Sequence, residues 1–142
     1  MSARRLRNFD VAGVFPIRVL VAEASLPWQW SMCALLQGYM DISVIGTAKS
    51  GGEVLSQTGV LRPDLVVMNF EMPDMHGADV ALRLRRKCPA TRVLLIADEV
   101  ELDPVVVQAG WLYGADSIMN KERVQEDLIP QIQLMFFKPE AA

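Results

Sequence analysis

Five short runs of apolar, often β-branched residues alternate with helix-patterned segments, and this alternation restricts the fold more than any other feature of the chain. The third run is apolar almost throughout, as expected for a strand that is covered on both faces. Short strands that alternate with helices at short connections usually pair in parallel. We therefore expect one α/β domain with a parallel sheet and helices on both faces. The strands are predicted at Ile17–Ala22, Ile42–Thr47, Leu65–Met68, Arg92–Ala97 and Asp116–Met119.

Helical spacing of apolar residues fills the intervals between these runs. In the first interval the apolar positions follow one stripe along the helix. Trp28 belongs to this stripe and is expected to face the core, whereas Trp30 lies outside it and is expected to face outward. Pro130 falls inside the last helix and is expected to bend it, because proline removes a backbone hydrogen bond. The helices are predicted at Trp28–Met40, Gly51–Gln57, Ala78–Lys87, Asp103–Tyr113 and Gln125–Phe137.

Size and charge restrict the class of protein. With 142 residues and a net charge of −3, the chain has room for one core and lacks the basic surplus of nucleic-acid-binding domains. No apolar run reaches the ~18 residues of a membrane span, and the N-terminus lacks the apolar stretch of a signal peptide, so we expect a cytoplasmic location. Cys33 and Cys88 form no CxxC pair and are expected to be buried free thiols.

The segment Pro63–Gly77 has the pattern of a buried strand that ends at the polar residue Asn69 and runs into a tight loop. Together with Gly114–Asp116 and Lys121, it resembles the phosphoacceptor region of bacterial response-regulator receiver domains, and the resemblance extends over nearly the whole chain. It implies a flavodoxin-like (CheY-like), doubly wound five-stranded parallel sheet of order 2-1-3-4-5. It also implies a role in two-component phosphorelay signalling. On this basis we expect an N-terminal extension at 1–15, a receiver-like domain at 16–138 and a disordered tail at 139–142.

The resemblance also assigns the members of the receiver pocket, and most of them are altered. The acidic pair that holds Mg²⁺ in receivers is reduced to one acid, and the acceptor aspartate is replaced by an amide. The hydroxyl residue that contacts the phosphoryl group and the switch aromatic residue are both aliphatic, whereas the lysine is retained. In the same order, these positions are Glu23 and Ala24, Asn69, Ala97, Ile118 and Lys121.

The charge of this degenerate phosphorylation pocket is near zero, with Glu23 against Lys121. Mg²⁺ needs several carboxylate or water oxygens in octahedral geometry, so we expect no Mg²⁺ cofactor, and at most weak metal binding at Glu23. We expect Lys121 to pair with Glu23 and to donate to the side-chain carbonyl of Asn69. The result would be either a switch locked in one state or a relic pocket without a selected role.

Three functional hypotheses follow. The first is a phosphorylation-independent receiver that acts by dimerising or by docking onto another signalling protein. The second is a phosphoaccepting receiver that uses a replacement acid, Asp98 or Glu71, and the third is a ligand-sensing pocket. We expect no enzymatic activity, because no glycine-rich phosphate loop follows the first strand and His76 is expected to be a lone surface histidine. The acids beside it, Asp74 and Glu71, are expected to be solvated.

A protein partner or a second copy of the chain is the expected ligand, with no direct contact to nucleic acid or membrane. In receivers, the usual dimer face combines the fourth helix, here Asp103–Tyr113, with the fifth strand and the fifth helix. The chain would either act in trans or form part of a longer regulator. The candidate contact residues are Trp30, Val105, Trp111 and Leu112.

Overall fold

The computed structural model describes residues 9–10, 16–98 and 114–139 of the chain, and it confirms the predicted sheet. All neighbouring strands pair in parallel, in the order β2-β1-β3-β4-β5, which is the predicted 2-1-3-4-5. The strands are β1 (Ile17–Ala22), β2 (Ile42–Ala48), β3 (Leu65–Asn69), β4 (Arg92–Ala97) and β5 (Ser117–Asn120).

Helices cover both faces of this sheet, as predicted. In β1, alternate residues serve different cores: Val19 and Val21 join the core under one face, and Leu20 and Ala22 join the core under the other. The first core is closed by the first and last helices, and the second by the two middle ones. The helices are α1 (Leu26–Gln37), α2 (Gly51–Leu61), α3 (Gly77–Lys87) and the C-terminal helix (Val124–Phe136), which follows a 3₁₀ turn at Lys121–Arg123.

The prediction that Trp28 faces the core was wrong. Its side chain is 38% exposed, whereas Gln29 is only 4% exposed and occupies the inward position. The Gln29 amide nitrogen donates to the backbone carbonyls of Glu23 at 3.0 Å and Ala48 at 3.5 Å. A buried amide with two carbonyl partners is well satisfied, so a polar residue takes the core position and the indole lies at the surface.

Helix α2 is four residues longer than predicted, because Thr58, four residues after the buried Val54, continues its buried stripe beyond Gln57. Its C-terminal cap is Arg62, which has a left-handed backbone with φ of 48°. The guanidinium of Arg18 donates at 2.7 Å to each of the carbonyls of Leu61 and Arg62. This side chain therefore satisfies helix-terminal carbonyls that have no partner within the helix.

Phe9–Asp10 forms a short antiparallel pairing with Lys138–Pro139. The sequence did not predict this pairing, and the division into extension, domain and tail stays a prediction. Pro130 lies inside the C-terminal helix with its side chain exposed, and the bend expected there also stays a prediction. Both cysteines are free thiols, and they are half-buried rather than fully buried.

Candidate functional site

Three polar side chains meet at the carboxyl edge of the sheet, where the ends of the parallel strands lie side by side. Glu23 directly follows β1, Asn69 is the last residue of β3, and Lys121 directly follows β5. Ligands of open parallel sheets bind beyond this edge. The structure therefore brings together the three polar residues that the sequence assigned to the pocket.

The Glu23 carboxylate is the centre of this cluster and is only 2% exposed. The ammonium nitrogen of Lys121 lies 3.1 Å from Glu23 Oε1. The amide nitrogen of Asn69 lies 3.2 Å from both carboxylate oxygens, and the backbone N–H of Ser25 donates to Oε2 at 3.2 Å. A buried carboxylate needs such donors and a counter-ion, and here the protein itself supplies them.

The orientation of the Asn69 amide differs from the prediction. We expected its carbonyl oxygen to accept a hydrogen bond from Lys121, but its nitrogen faces Glu23 instead. An ionised carboxylate is only an acceptor, so the amide must turn its N–H₂ group toward it. The Asn69 oxygen points to the following loop, where it lies 3.5 Å from the backbone nitrogen of Glu71.

Lys121 also contacts an aromatic side chain that the sequence did not assign to the site. Its ammonium nitrogen lies 4.6 Å from the centroid of the Trp28 ring, within the range of a cation–π interaction. The contact connects the first turn of α1 with the end of β5. Because the sequence analysis placed Trp28 in the core, it did not assign this contact. No sequence signal distinguishes a core tryptophan from one that lies over a lysine at the surface.

The remaining assigned positions carry no group that could bind a phosphoryl oxygen through its side chain. Ala24 is exposed beside Glu23, Ala97 is completely buried at the end of β4, and Ile118 is half-buried in β5. Asp98, a candidate replacement acceptor, follows Ala97 and is exposed.

The loop after β3 contains a second arrangement of polar groups, in which Asp74 and Glu71 are exposed, as expected, and also form hydrogen bonds. The Asp74 carboxylate accepts hydrogen bonds from the backbone N–H groups of Gly51 at 2.7 Å and Gly52 at 2.9 Å, at the start of α2. These bonds, from Gly52 first and then from Gly51, lower the pKa of Asp74. Glu71 pairs with the exposed His76 at 3.0 Å.

Two groups of side chains cap the start of α2, Asp74 and the pair Ser50 and Glu53, and the sequence contains a signal for the second of them. Ser50 accepts from the backbone of Glu53, and the Glu53 carboxylate accepts in return from the Ser50 hydroxyl and from the backbone of Lys49. The pattern Ser-x-x-Glu is a recognised capping signal and could have placed the helix start. The contribution of Asp74 comes from a loop more than twenty residues away, and no local pattern indicates it.

Among the interface candidates, Trp30 is 64% exposed on α1. Val105, Trp111 and Leu112 lie outside the described residues. Within the described ranges, no group of three or more His, Cys, Asp and Glu side chains is placed to hold a metal ion. None of the helices in the described part of the chain has the length and apolar character to cross a bilayer.

Known proteins resemble this chain in sequence and in fold. Residues 19–133 match the response regulator receiver domain family. The chain is 32% identical over 128 residues to a protein-glutamate methylesterase/protein-glutamine glutaminase of Nocardioides sp., with 82% of this chain and 35% of that protein covered. It is 26% identical over 118 residues to the response regulator protein VraR of Staphylococcus saprophyticus, with 83% and 56% covered. The chain thus spans about a third of the length of the methylesterase relatives that it matches.

Solved structures show the same likeness. The signal receiver domain of the response regulator NarL from Mycobacterium tuberculosis superimposes with a TM-score of 0.79 at 25% identity, covering 85% of this chain and 96% of that one. The response regulator domain of Thermotoga maritima CheB gives a TM-score of 0.76 at 24% identity, covering 83% and 94%. The second likeness concerns the fold alone.

Proposed function

Because the chain belongs to the response regulator receiver domain family, we propose that it is a receiver whose signalling does not depend on phosphorylation at the usual acceptor position. Asn69 stands at that position. A carboxylate can form an acyl phosphate, whereas an amide is a very poor nucleophile at neutral pH. The observation that carries the proposal is the pair of 3.2 Å hydrogen bonds from the Asn69 nitrogen to Glu23, which use this side chain as a donor within the protein.

The donor set of the pocket fits Mg²⁺ poorly, which supports a receiver that works without this ion. The only carboxylate in the cluster is Glu23, and both of its oxygens already accept from Asn69. Oε1 also faces the Lys121 ammonium, whose positive charge opposes a second cation. Mg²⁺ binds through oxygen atoms in strict octahedral geometry, and one engaged carboxylate is a weak substitute for an acidic cluster.

The positions that couple phosphorylation to conformational change in the family support the same proposal. Ala97 has no hydroxyl group to contact a phosphoryl oxygen, and it is fully buried. Ile118 has an aliphatic side chain where the family's switch residue is aromatic. Both changes lie on strands other than that of Asn69, so a single substitution at the acceptor position does not account for them.

Without this phosphate chemistry, the proposed activity is protein–protein interaction. The domain would act as a cytoplasmic, non-enzymatic module of a two-component system, binding a signalling partner or a second copy without direct contact to nucleic acid or membrane. The dimer face that the resemblance to receivers implies, of which the structure describes β5 and the C-terminal helix, is one candidate contact surface. The pocket then serves as a fixed polar centre, in which Lys121 and Asn69 hold the buried Glu23 charge.

The test compares the wild-type chain with an Ala24→Asp/Asn69→Asp variant, which restores the two missing acids. Both proteins are titrated with Mg²⁺ in the presence and absence of beryllofluoride, a phosphoryl mimic. Tryptophan fluorescence and melting temperature are recorded, and Trp28 lies beside Lys121 where its fluorescence can report on the pocket. We expect no response of the wild type up to tens of millimolar Mg²⁺ and a saturable response of the variant.

A saturable, beryllofluoride-dependent response of the wild type would contradict the proposal. It would instead favour a replacement acceptor, and Asp98→Asn and Glu71→Gln variants would then identify which acid is used. The Ala24→Asp/Asn69→Asp variant is the positive control, since its response shows that the fluorescence and melting measurements detect an occupied pocket.

A further inference from the structure

Helix α3 carries opposite charges at the two ends of its outer surface. Its only acid, Asp79, lies in the first turn, and its basic residues follow from Arg83 to Lys87. Asp79 and Arg86 are both exposed, and they are two helical turns apart, so their side chains lie on one face of the helix. This face is therefore negative at one end and positive about 10 Å further along the helix axis.

The acidic end of this surface continues into the loop that precedes α3. A hollow of about 410 Å³ there has three exposed carboxylates in its lining, those of Glu71, Asp74 and Asp79. Glu71 pairs with His76, and Asp74 caps α2. The ion pairs in the described part of the chain do not include Asp79 or Arg86. The charges of these two side chains are thus available to a partner outside the chain.

A surface with this order of charges is complementary to itself. When two copies meet through α3 about a two-fold axis perpendicular to the helix, the helices run antiparallel, and the acidic end of each copy faces the basic end of the other. Within one copy, the same order also complements the dipole of α3. Among the described α-helices, α3 is the one that has both an acid in its first turn and bases in its last turn. The self-complementary charge pattern therefore distinguishes α3 from the other described helices.

We propose that two copies of the chain associate through α3 in this antiparallel arrangement, with Arg86 of each copy in the acidic hollow beside Asp79 of the other. Each copy carries a net charge of −3, which opposes association in general. Helix α3 itself carries four basic residues and one acid, so its basic end is attracted to an acidic second copy. The inference rests on the proposed function only in naming a second copy as the protein partner, and the chemistry of the pocket plays no part in it.

The spacing along α3 places an apolar side chain at the centre of this contact. The two-fold axis falls midway between Asp79 and Arg86, at Leu82 and Arg83. Leu82 is half-buried, so its exposed part can pack against the aliphatic stem of Arg83 from the other copy. A helix of eleven residues is about 17 Å long, which is short for a standard stable interface. Because salt also screens exposed charge pairs, we expect a weak dimer that dissociates as the ionic strength rises.

A charge-swap experiment tests the proposal. Arg86→Glu places acid opposite acid in the dimer, and Asp79→Lys places base opposite base, so each variant alone should repel its own second copy. In an equal mixture, one copy of each variant restores both contacts with the charges exchanged. Arg123→Glu and Glu126→Lys are the matched controls. They shift the net charge by the same amounts at exposed positions at the start of the C-terminal helix, which covers the other face of the sheet.

Sedimentation velocity of the full chain in about 50 mM salt, over a wide concentration range, measures the monomer–dimer Kd. Circular dichroism confirms that each variant is folded. We expect each α3 variant alone to raise the Kd at least about tenfold, because each reversal acts at both symmetry-related contacts. The equal mixture should return to within about threefold of the wild-type Kd, and the controls should stay within about twofold of it. For the wild type, about 500 mM salt should also raise the Kd at least about tenfold.

A wild type that stays monomeric at every concentration in low salt would overturn the proposal and would leave this surface to a different partner. The proposal would also be wrong if the α3 variants dimerised like the wild type, or if their mixture associated no better than its components. A dimer that only the controls weaken would place the contact on the C-terminal helix and would equally overturn it. None of these results bears on phosphorylation independence, because the beryllofluoride titration reads the pocket whether the protein is monomeric or dimeric.

Discussion

The Lys121 ammonium nitrogen lies 4.6 Å from the centroid of the Trp28 ring, so an aromatic face holds the cation of the candidate pocket in addition to the Glu23 carboxylate. A cation–π contact stabilises by about 0.5–1 kcal/mol at exposed sites and by more where water is excluded. Lys121 is thus restrained from two directions, by a residue that follows β1 and by a residue in α1. This double contact connects the stability of the pocket to the position of the α1 N-terminus.

Replacing Lys121 by methionine should lower the free energy of unfolding by about 3 kcal/mol, because one-sided removal of a buried ion-pair partner leaves an uncompensated charge. Of its partners among the described residues, the Glu23 carboxylate would retain the N–H donors of Asn69 and Ser25. Urea denaturation at neutral pH measures the change. The double variant Glu23→Gln/Lys121→Met removes both charges and should recover most of the loss. A Lys121→Met protein as stable as the wild type would mean that the pair does not compensate a buried charge.

Replacing Asn69 by aspartate should lower the free energy of unfolding in the absence of Mg²⁺ by about 2 kcal/mol. The change converts a donor at 3.2 Å from Glu23 into a second carboxylate, so a charge-assisted hydrogen bond is exchanged for like-charge repulsion. Asn69→Ala is the matched control, because it removes the donor without adding charge. We expect thermal melts to rank the wild type above Asn69→Ala and Asn69→Ala above Asn69→Asp, and Mg²⁺ to raise the melting temperature of the aspartate variant alone. Equal stability of the two variants would rule out the repulsion.

The strands and the polar members of the pocket could be read from the sequence, for physical reasons. Buried parallel strands are short apolar runs, and β1 and β4 were predicted with the bounds that the structure has. The resemblance to receivers supplied the strand order, and the rule that polar residues at strand ends meet at one sheet edge brought Glu23, Asn69 and Lys121 together. The roles of these residues remain a proposal.

Contacts between distant segments could not be read in this way. Gln29 is buried because two backbone carbonyls, one of them from β2, satisfy its amide, and a polarity pattern assigns such a residue to the surface. Asp74 caps α2 from a loop that follows the next strand along the chain. In both cases the partner of a polar side chain is known only once the elements have packed, and Trp28 was misplaced for the same reason.

Substitution of Gly77 by alanine should lower the free energy of unfolding by about 2 kcal/mol, through overpacking at the start of α3. A Cβ atom at this position would lie 3.0 Å from the backbone oxygen of Asn69, 3.0 Å from Leu95 Cδ2 and 3.1 Å from the backbone oxygen of Phe70. Backbone atoms cannot move aside as a flexible side chain does. Chemical denaturation of the variant measures the loss.

Gly59 provides the control for this prediction. It lies in α2, and a Cβ atom there would have no neighbour within 4 Å. Gly59→Ala should therefore stabilise the protein by about 0.5–1 kcal/mol, since alanine has the higher helix propensity. The two alanine substitutions are expected to have opposite signs, and a Gly77→Ala protein that gained stability would show that the β3–α3 loop relaxes freely.

The Asp74 cap makes stability depend on pH in a defined direction. The hydrogen bonds from Gly52 and Gly51 hold the pKa of Asp74 in the folded protein below its ordinary value of 3.8. A depressed carboxyl pKa stabilises the folded state above the unfolded pKa, and this contribution is lost as pH falls through the lower, folded pKa.

The wild type should therefore melt at a higher temperature than Asp74→Asn near neutral pH. The gap should narrow as the pH drops below 3.8. Both proteins are melted across this pH range in identical buffers. The contributions of the other carboxylates, including Glu53 in the same cap, then cancel in the difference between the two melting temperatures. A gap that stayed constant with pH would show that the hydrogen-bonding shape of the side chain, and not its charge, secures the start of α2.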